Sequence, residues 1–84
     1  MKKNNKLDVW MISQISVFLN HSIDTVQGNS VYWLLDDNSQ LEINFDDKEV
    51  KFIDWVGDDK TYFAILGLCK SRNMEPMDYF TDYK

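Results

Sequence analysis

The sequence predicts an α+β domain: an N-terminal helix, an antiparallel β-meander of three or four strands, and one or two C-terminal helices, in the order α-β-β-β-α-α. Three observations predict it. Apolar residues recur at spacings of three and four over 7–20, the period of a helix. They alternate at a period of two in three runs over 31–55, separated by turn-forming clusters. A Gly-Asp-Asp break at 57–59 then restores the longer period.

In the first helix the stripe is Leu7, Trp10/Met11, Ile15 and Phe18/Leu19. Asn5 is the expected N-cap, with Asp8 three residues on as in a capping box. Ser13, Ser16 and Asn20 share a narrow polar arc, flanked by Trp10 and Val17 on one side and Ile12 and Leu19 on the other. That apolar face is wider than a single sheet contact requires. The strands follow as Val31-Trp33-Leu35, Leu41-Ile43-Phe45 and Val50-Phe52-Asp54. Asp36-Asp37-Asn38-Ser39 and Asp46-Asp47-Lys48 are connections short enough to join only antiparallel neighbours. Ile23 to Gln27, before Gly28-Asn29, reads as a short extra edge strand. Asp58 or Asp59 then caps a helix over 60–72 whose stripe is Tyr62, Ile65, Leu66 and Cys69. Gly67 costs that helix about 1 kcal/mol relative to Ala, so a strand from Thr61 to Leu66 is its rival. Pro76 suits the first turn of a final helix reaching about Asp82. Trp33 and Phe45 are expected in the core.

The chain is short enough, at 84 residues, for one domain (7–84) behind a basic, flexible N-terminus (1–6). No run approaches the roughly 20 apolar residues of a membrane span. The polar residues at 8, 13, 14 and 16 interrupt what would be a signal-peptide core, so a cytoplasmic location is expected. One Cys allows no internal disulfide, and one Cys with one His makes no structural zinc site. Asp36-Asp37-Asn38 opens like a calcium loop, but Leu41 stands where that loop needs Gly. Gly28, Gly57 and Gly67 are too scattered for a phosphate loop. No metal or cofactor is expected. The nucleophile–base combination to weigh is Cys69 with His21. Cys69 reads as a core residue and His21 as a helix-terminal one, so no enzyme is expected.

Ile15 to Val26 is similar to the centre of a helix-turn-helix, with Ser16 small, Asn20 at the turn and Val26 apolar. His21 and Gly28-Asn29 depart from that pattern. No Lys or Arg stands between Leu7 and Asp47, whereas DNA affinity rests on neutralising phosphates. Direct nucleic-acid binding is therefore not expected.

Charge is unevenly spread. Residues 7–50 hold eight carboxylates against Lys48, while residues 51–84 nearly balance, within a net charge of −5. In a meander, the turns at 36–39 and 57–59 share one end. Asp36, Asp37, Asp58 and Asp59 then form an acidic rim with Glu42 on a strand nearby. The plain reading is that acidic turns keep a small domain soluble. The functional reading is that the rim engages a basic surface on a partner protein, such as a nucleic-acid-binding effector or nuclease.

With its acidic turns Asp36-Asp37, Asp46-Asp47 and Asp58-Asp59 and its α-β-α order, the chain resembles small acidic phage and mobile-element inhibitors of bacterial defence, including anti-CRISPR proteins and other DNA mimics. The resemblance is one of architecture and composition. It implies a non-enzymatic inhibitor that occupies a nucleic-acid-binding surface. The alternative is a self-associating, homodimeric adaptor that uses apolar surface at Trp10, Val17, Trp55 and Tyr79.

Overall fold

Seven elements follow one another over residues 7–80, the part of the chain that the computed structural model describes. They are α1 (Val9–Leu19), β1 (Thr25–Gln27), β2 (Ser30–Leu34), β3 (Gln40–Asn44), β4 (Glu49–Ile53), α2 (Asp59–Ser71) and β5 (Glu75–Tyr79). The fold is α+β with a five-stranded mixed sheet in the order β1-β2-β3-β4-β5.

Asp8 is itself the N-cap of α1, its carboxylate accepting from Met11 N at 3.0 Å. The capping residue expected at Asn5 and the basic segment 1–6 lie outside the described residues. An asparagine in the left-handed region follows each helix, Asn20 (φ 54) as the C-cap of α1 and Asn73 (φ 59) just past Arg72, the C-cap of α2. The next amide then reaches back to an orphan carbonyl: His21 N to Ser16 O at 3.0 Å, and Met74 N to Cys69 O at 2.9 Å. Asparagine tolerates this conformation better than other residues with a Cβ.

The meander is antiparallel from β1 to β4. Gln27 pairs with Ser30, so Gly28-Asn29 is a two-residue turn. Gly28 alone takes a positive φ there (61°), the pattern of a type II′ hairpin. The short strand expected near 23–27 is present as β1. The helix expected over 60–72 is present as α2, and its rival strand is not. Asp58 supplies its cap, accepting from Thr61 N at 2.9 Å.

Three expectations need correction. The final helix from Pro76 is the strand β5, which pairs with β4 in parallel, so the chain has one helix after the meander among the described residues. Asp82, its expected end, lies outside them. The missing N–H of proline is tolerated in either element, which is why the residue misleads. Glu75 N donates to Lys48 O and Tyr79 O accepts from Asp54 N, both toward β4. Pro76 therefore faces the free edge of the sheet, where no amide is needed. The helix-turn-helix resemblance also fails, because the chain after Asn20 enters β1 instead of a second helix. Finally, β4 stops at Ile53. Asp54 (φ 48) leaves the strand instead of continuing its alternation.

Alternation places Val31, Trp33, Leu41, Ile43, Val50 and Phe52 on one face, all fully buried. Met11 and Ile15 of α1, Ile65 and Cys69 of α2, and Phe45 and Met74 complete this core, which holds both Trp33 and Phe45 as expected. Trp33 Nε1 donates to Ser16 Oγ at 3.1 Å and ties α1 to the sheet. Tyr62 donates to Asp78 at 2.8 Å and ties α2 to β5. Phe52, Trp55 and Tyr62 form an aromatic cluster with ring centroids 4.6–5.9 Å apart. Burying side chains of this size contributes about 1.5–3 kcal/mol each. Among the described residues, the opposite face of the sheet carries no helix. No helix among the described residues is long and apolar enough to cross a membrane.

Candidate functional site

Strand direction decides which loops meet. β2 ends and β3 begins at one end of the sheet, where β4 also ends, α2 begins and the segment after α1 returns to β1. Asp24, Asp36, Asp37, Asp54, Asp58 and Asp59 all stand in these segments. Lys60 is the one Lys or Arg among the described residues of these segments. Leu19, His21, Leu35, Trp55, Asp58 and Thr61 line a shallow recess of about 230 Å³ at this end, so the three connections enclose a common surface.

The carboxylates differ in what they do locally. Asp36 accepts from Asn38 N and Ser39 N, both at 2.9 Å, and so builds the β2–β3 turn. Asp58 caps α2, and the Thr61 bonds hold its carboxyl below the usual carboxylate range. Asp24 is lowered chiefly by the Leu34 N–H, donated at 2.7 Å, and further by His21 Nε2 at 2.9 Å. Asp37 and Asp59 are exposed at the same end and make neither a turn nor a cap. The acidic end is thus built from three carboxylates whose position is fixed by hydrogen bonds and at least two that project from fixed backbone.

Glu42 sits elsewhere. It lies in the middle of β3 on the helix-free face, directly across the ladder from Lys51. Asp24 was not among the residues expected at the acidic end, because its reach to Leu34 depends on how β1 returns beside β2.

The other end of the molecule is mixed in charge. Arg72 Nε lies 2.9 Å from Asp8 Oδ2, and its guanidinium covers the Trp10 ring at 4.8 Å. Asn29 Nδ2 donates to Asp46 Oδ1 at 3.1 Å. Lys48 lines the same recess as Asp8, Asp46 and Arg72.

The apolar residues expected to self-associate do not share a surface. Trp10 and Val17 are on the outward side of α1, 54% and 71% exposed. Trp55 is half-buried in the aromatic cluster. Tyr79 is on the helix-free face of the sheet.

His21 and Cys69 are not brought together. His21 is beside the start of α2, whereas Cys69 is in its last turn, about 15 Å away at 1.5 Å per residue. Burial pushes the Cys69 thiol up to about 11, which leaves it unreactive at neutral pH. Among the described residues, no three His, Cys, Asp or Glu side chains are grouped to hold a metal ion. Neither a family model, nor a curated protein, nor a solved structure matches the chain.

Proposed function

We propose that this chain is a non-catalytic interaction domain whose acidic end occupies a basic, nucleic-acid-binding surface of a partner protein and so inhibits it. One observation carries the reading: the carboxylates of three separate connections stand at one end, with Lys60 as the only Lys or Arg among the described residues of those segments. A negative field held on fixed backbone accelerates encounter with a positive surface and costs little reorganisation on binding. Asp36, Asp37, Asp58 and Asp59 carry it, joined by Asp24. Glu42, on the sheet face, belongs to a different surface. The mode of action matches that of the phage and mobile-element inhibitors that the chain resembles. Self-association through Trp10, Val17, Trp55 and Tyr79 has weaker support, because α1, the aromatic cluster and the sheet face carry these residues on separate surfaces.

The test uses the isosteric amide. Asn caps as well as Asp, so replacing Asp36, Asp37, Asp58 and Asp59 together by Asn removes charge while keeping the turn and the cap. Immobilised wild-type chain should retain a bacterial nucleic-acid-binding protein at about 50 mM salt and release it by about 300 mM, where exposed charges are screened within a few ångströms. The captured protein should lose its nucleic acid in a gel-shift competition. Equal capture by the tetra-amide variant, or retention indifferent to salt, would defeat the proposal.

A further inference from the structure

We infer that the helix-free face of the sheet is a self-complementary surface on which a second copy of this chain docks, about a twofold axis parallel to the strands. The face is amphiphilic and ordered in rows. One row reads Tyr32, Glu42, Lys51, Met77 across β2 to β5. The next reads Leu34, Gln40, Ile53, Tyr79. Leu34 is 48% and Tyr79 42% exposed, while Tyr32, Ile53 and Met77 are half-exposed. The Lys51 ammonium lies over the Tyr79 ring at 5.8 Å, which keeps it down on the sheet.

The charge pattern selects both the occupant and its orientation. An axis running between β3 and β4 exchanges those two strands and also exchanges β2 with β5, leaving each row level. Glu42 then meets the partner's Lys51 and Lys51 meets the partner's Glu42. The same operation sets Tyr32 on the partner's Met77 and Leu34 on the partner's Tyr79. A closed ring of four alternating charges results, flanked on one side by these apolar pairs with Gln40 on the partner's Ile53, and on the other by a polar row in which Glu49 meets the partner's Asn44 and Glu75 the partner's Ser30. An axis across the strands would instead stack Glu42 on the partner's Glu42 and Lys51 on the partner's Lys51. Sheets pack face to face at about 10 Å with a rotation near 30°, which such rows accommodate. The footprint is about 300–400 Å² per copy, near half of a standard interface, so the dimer is a weak one.

A charge-swap mixture tests it. Sedimentation of wild-type chain should show a concentration-dependent dimer. Glu42→Lys and Lys51→Glu should each weaken it about tenfold by like-charge stacking. An equimolar mixture of the two variants should form a heterodimer at least tenfold tighter than either homodimer. Mixing leaves the contacts within each monomer unchanged, so this gain reports the interface alone. Should either variant fail to fold, isotope-filtered NMR on wild-type chain supplies the independent reading. Leu34 and Tyr79 are three strand spacings apart within one chain, about 14 Å, so a contact between Leu34 methyls and the Tyr79 ring must come from the partner. A monomer at millimolar concentration, a mixture no tighter than its components, or a dimer held through α1 with no Leu34–Tyr79 contact would overturn the inference.

Discussion

The two faces of the sheet are made by the same strands yet obey different rules. On the covered face, Val31, Trp33, Leu41, Ile43, Val50 and Phe52 are fully buried beneath two helices. On the uncovered face, Tyr32, Glu42, Lys51 and Ile53 are spaced identically along the chain but keep contact with water. A single-residue step along a strand therefore separates residues that hold the fold from residues that are free to meet a partner. The acidic end belongs to neither face. It is made by the connections, where Asp36 and Asp58 also build a turn and a cap while Asp37 and Asp59 do neither.

The sharpest way to break this comparison is a pair of neighbours on β4. Phe52→Ala should cost about 3–5 kcal/mol, because a fully buried ring at the centre of the aromatic cluster leaves a cavity. Ile53→Ala, on the uncovered face, should cost about 1 kcal/mol or less in dilute monomer. Chemical denaturation of both variants measures the contrast, and equal losses would erase the distinction between the faces.

A smaller effect probes how the cover is attached. Asp8 both caps α1 and pairs with Arg72, so Asp8→Ala should cost about 1–2 kcal/mol. Arg72→Ala should lose less, since the cap remains. The reverse order would place the ion pair above the cap.

Glycine gives a test of opposite sign. A Cβ at Gly67 meets nothing within 4 Å in a helical backbone, so Gly67→Ala should stabilise by about 0.5–1 kcal/mol. A Cβ at Gly57 would overlap the Trp55 ring, so Gly57→Ala should displace that indole and lower the melting midpoint. Tryptophan fluorescence follows the displacement directly.

The smallest expected effect is on acid stability. Asp24 and Asp58 have folded pKa values below the usual 3.8. Their contribution is complete above that value and is lost as the pH falls through the lowered one, because the unfolded chain takes up the proton first. Melting midpoints should therefore decline more steeply below about pH 4 in wild type than in the Asp24→Asn, Asp58→Asn double variant. Parallel curves would mean that these bonds do not persist in solution.

Much of this was readable from local pattern. The period of α1, the alternation in β2 to β4, the Gly28-Asn29 turn and the Asp58 cap are each determined by neighbours a few residues away. β5 is not. Glu75-Pro76-Met77-Asp78-Tyr79 has no apolar alternation, because its exposed edge and one exposed face demand none. Its partner β4 lies across an entire helix, and hydrogen bonding to Lys48 and Asp54 is what makes it a strand. The acidic loops could be assigned to one end from the meander alone. Which carboxylate builds a turn and which projects could not, since that depends on amides such as Leu34 N brought from another strand. Likewise Glu42 and Lys51 become neighbours only once the four residues between Asn44 and Glu49 have set the register.

The parallel return of β5 has a consequence for synthesis on the ribosome. β1 to β4 can assemble as they emerge, each beside a strand just made, but β4 then waits while α2 is translated and folded across the sheet. During that interval its outer edge is a row of unpaired amides and carbonyls on a nascent chain, the condition under which strands recruit one another. Residues 75–79 close that seam, and the proline they carry leaves the new border a poorer template than the one it replaces.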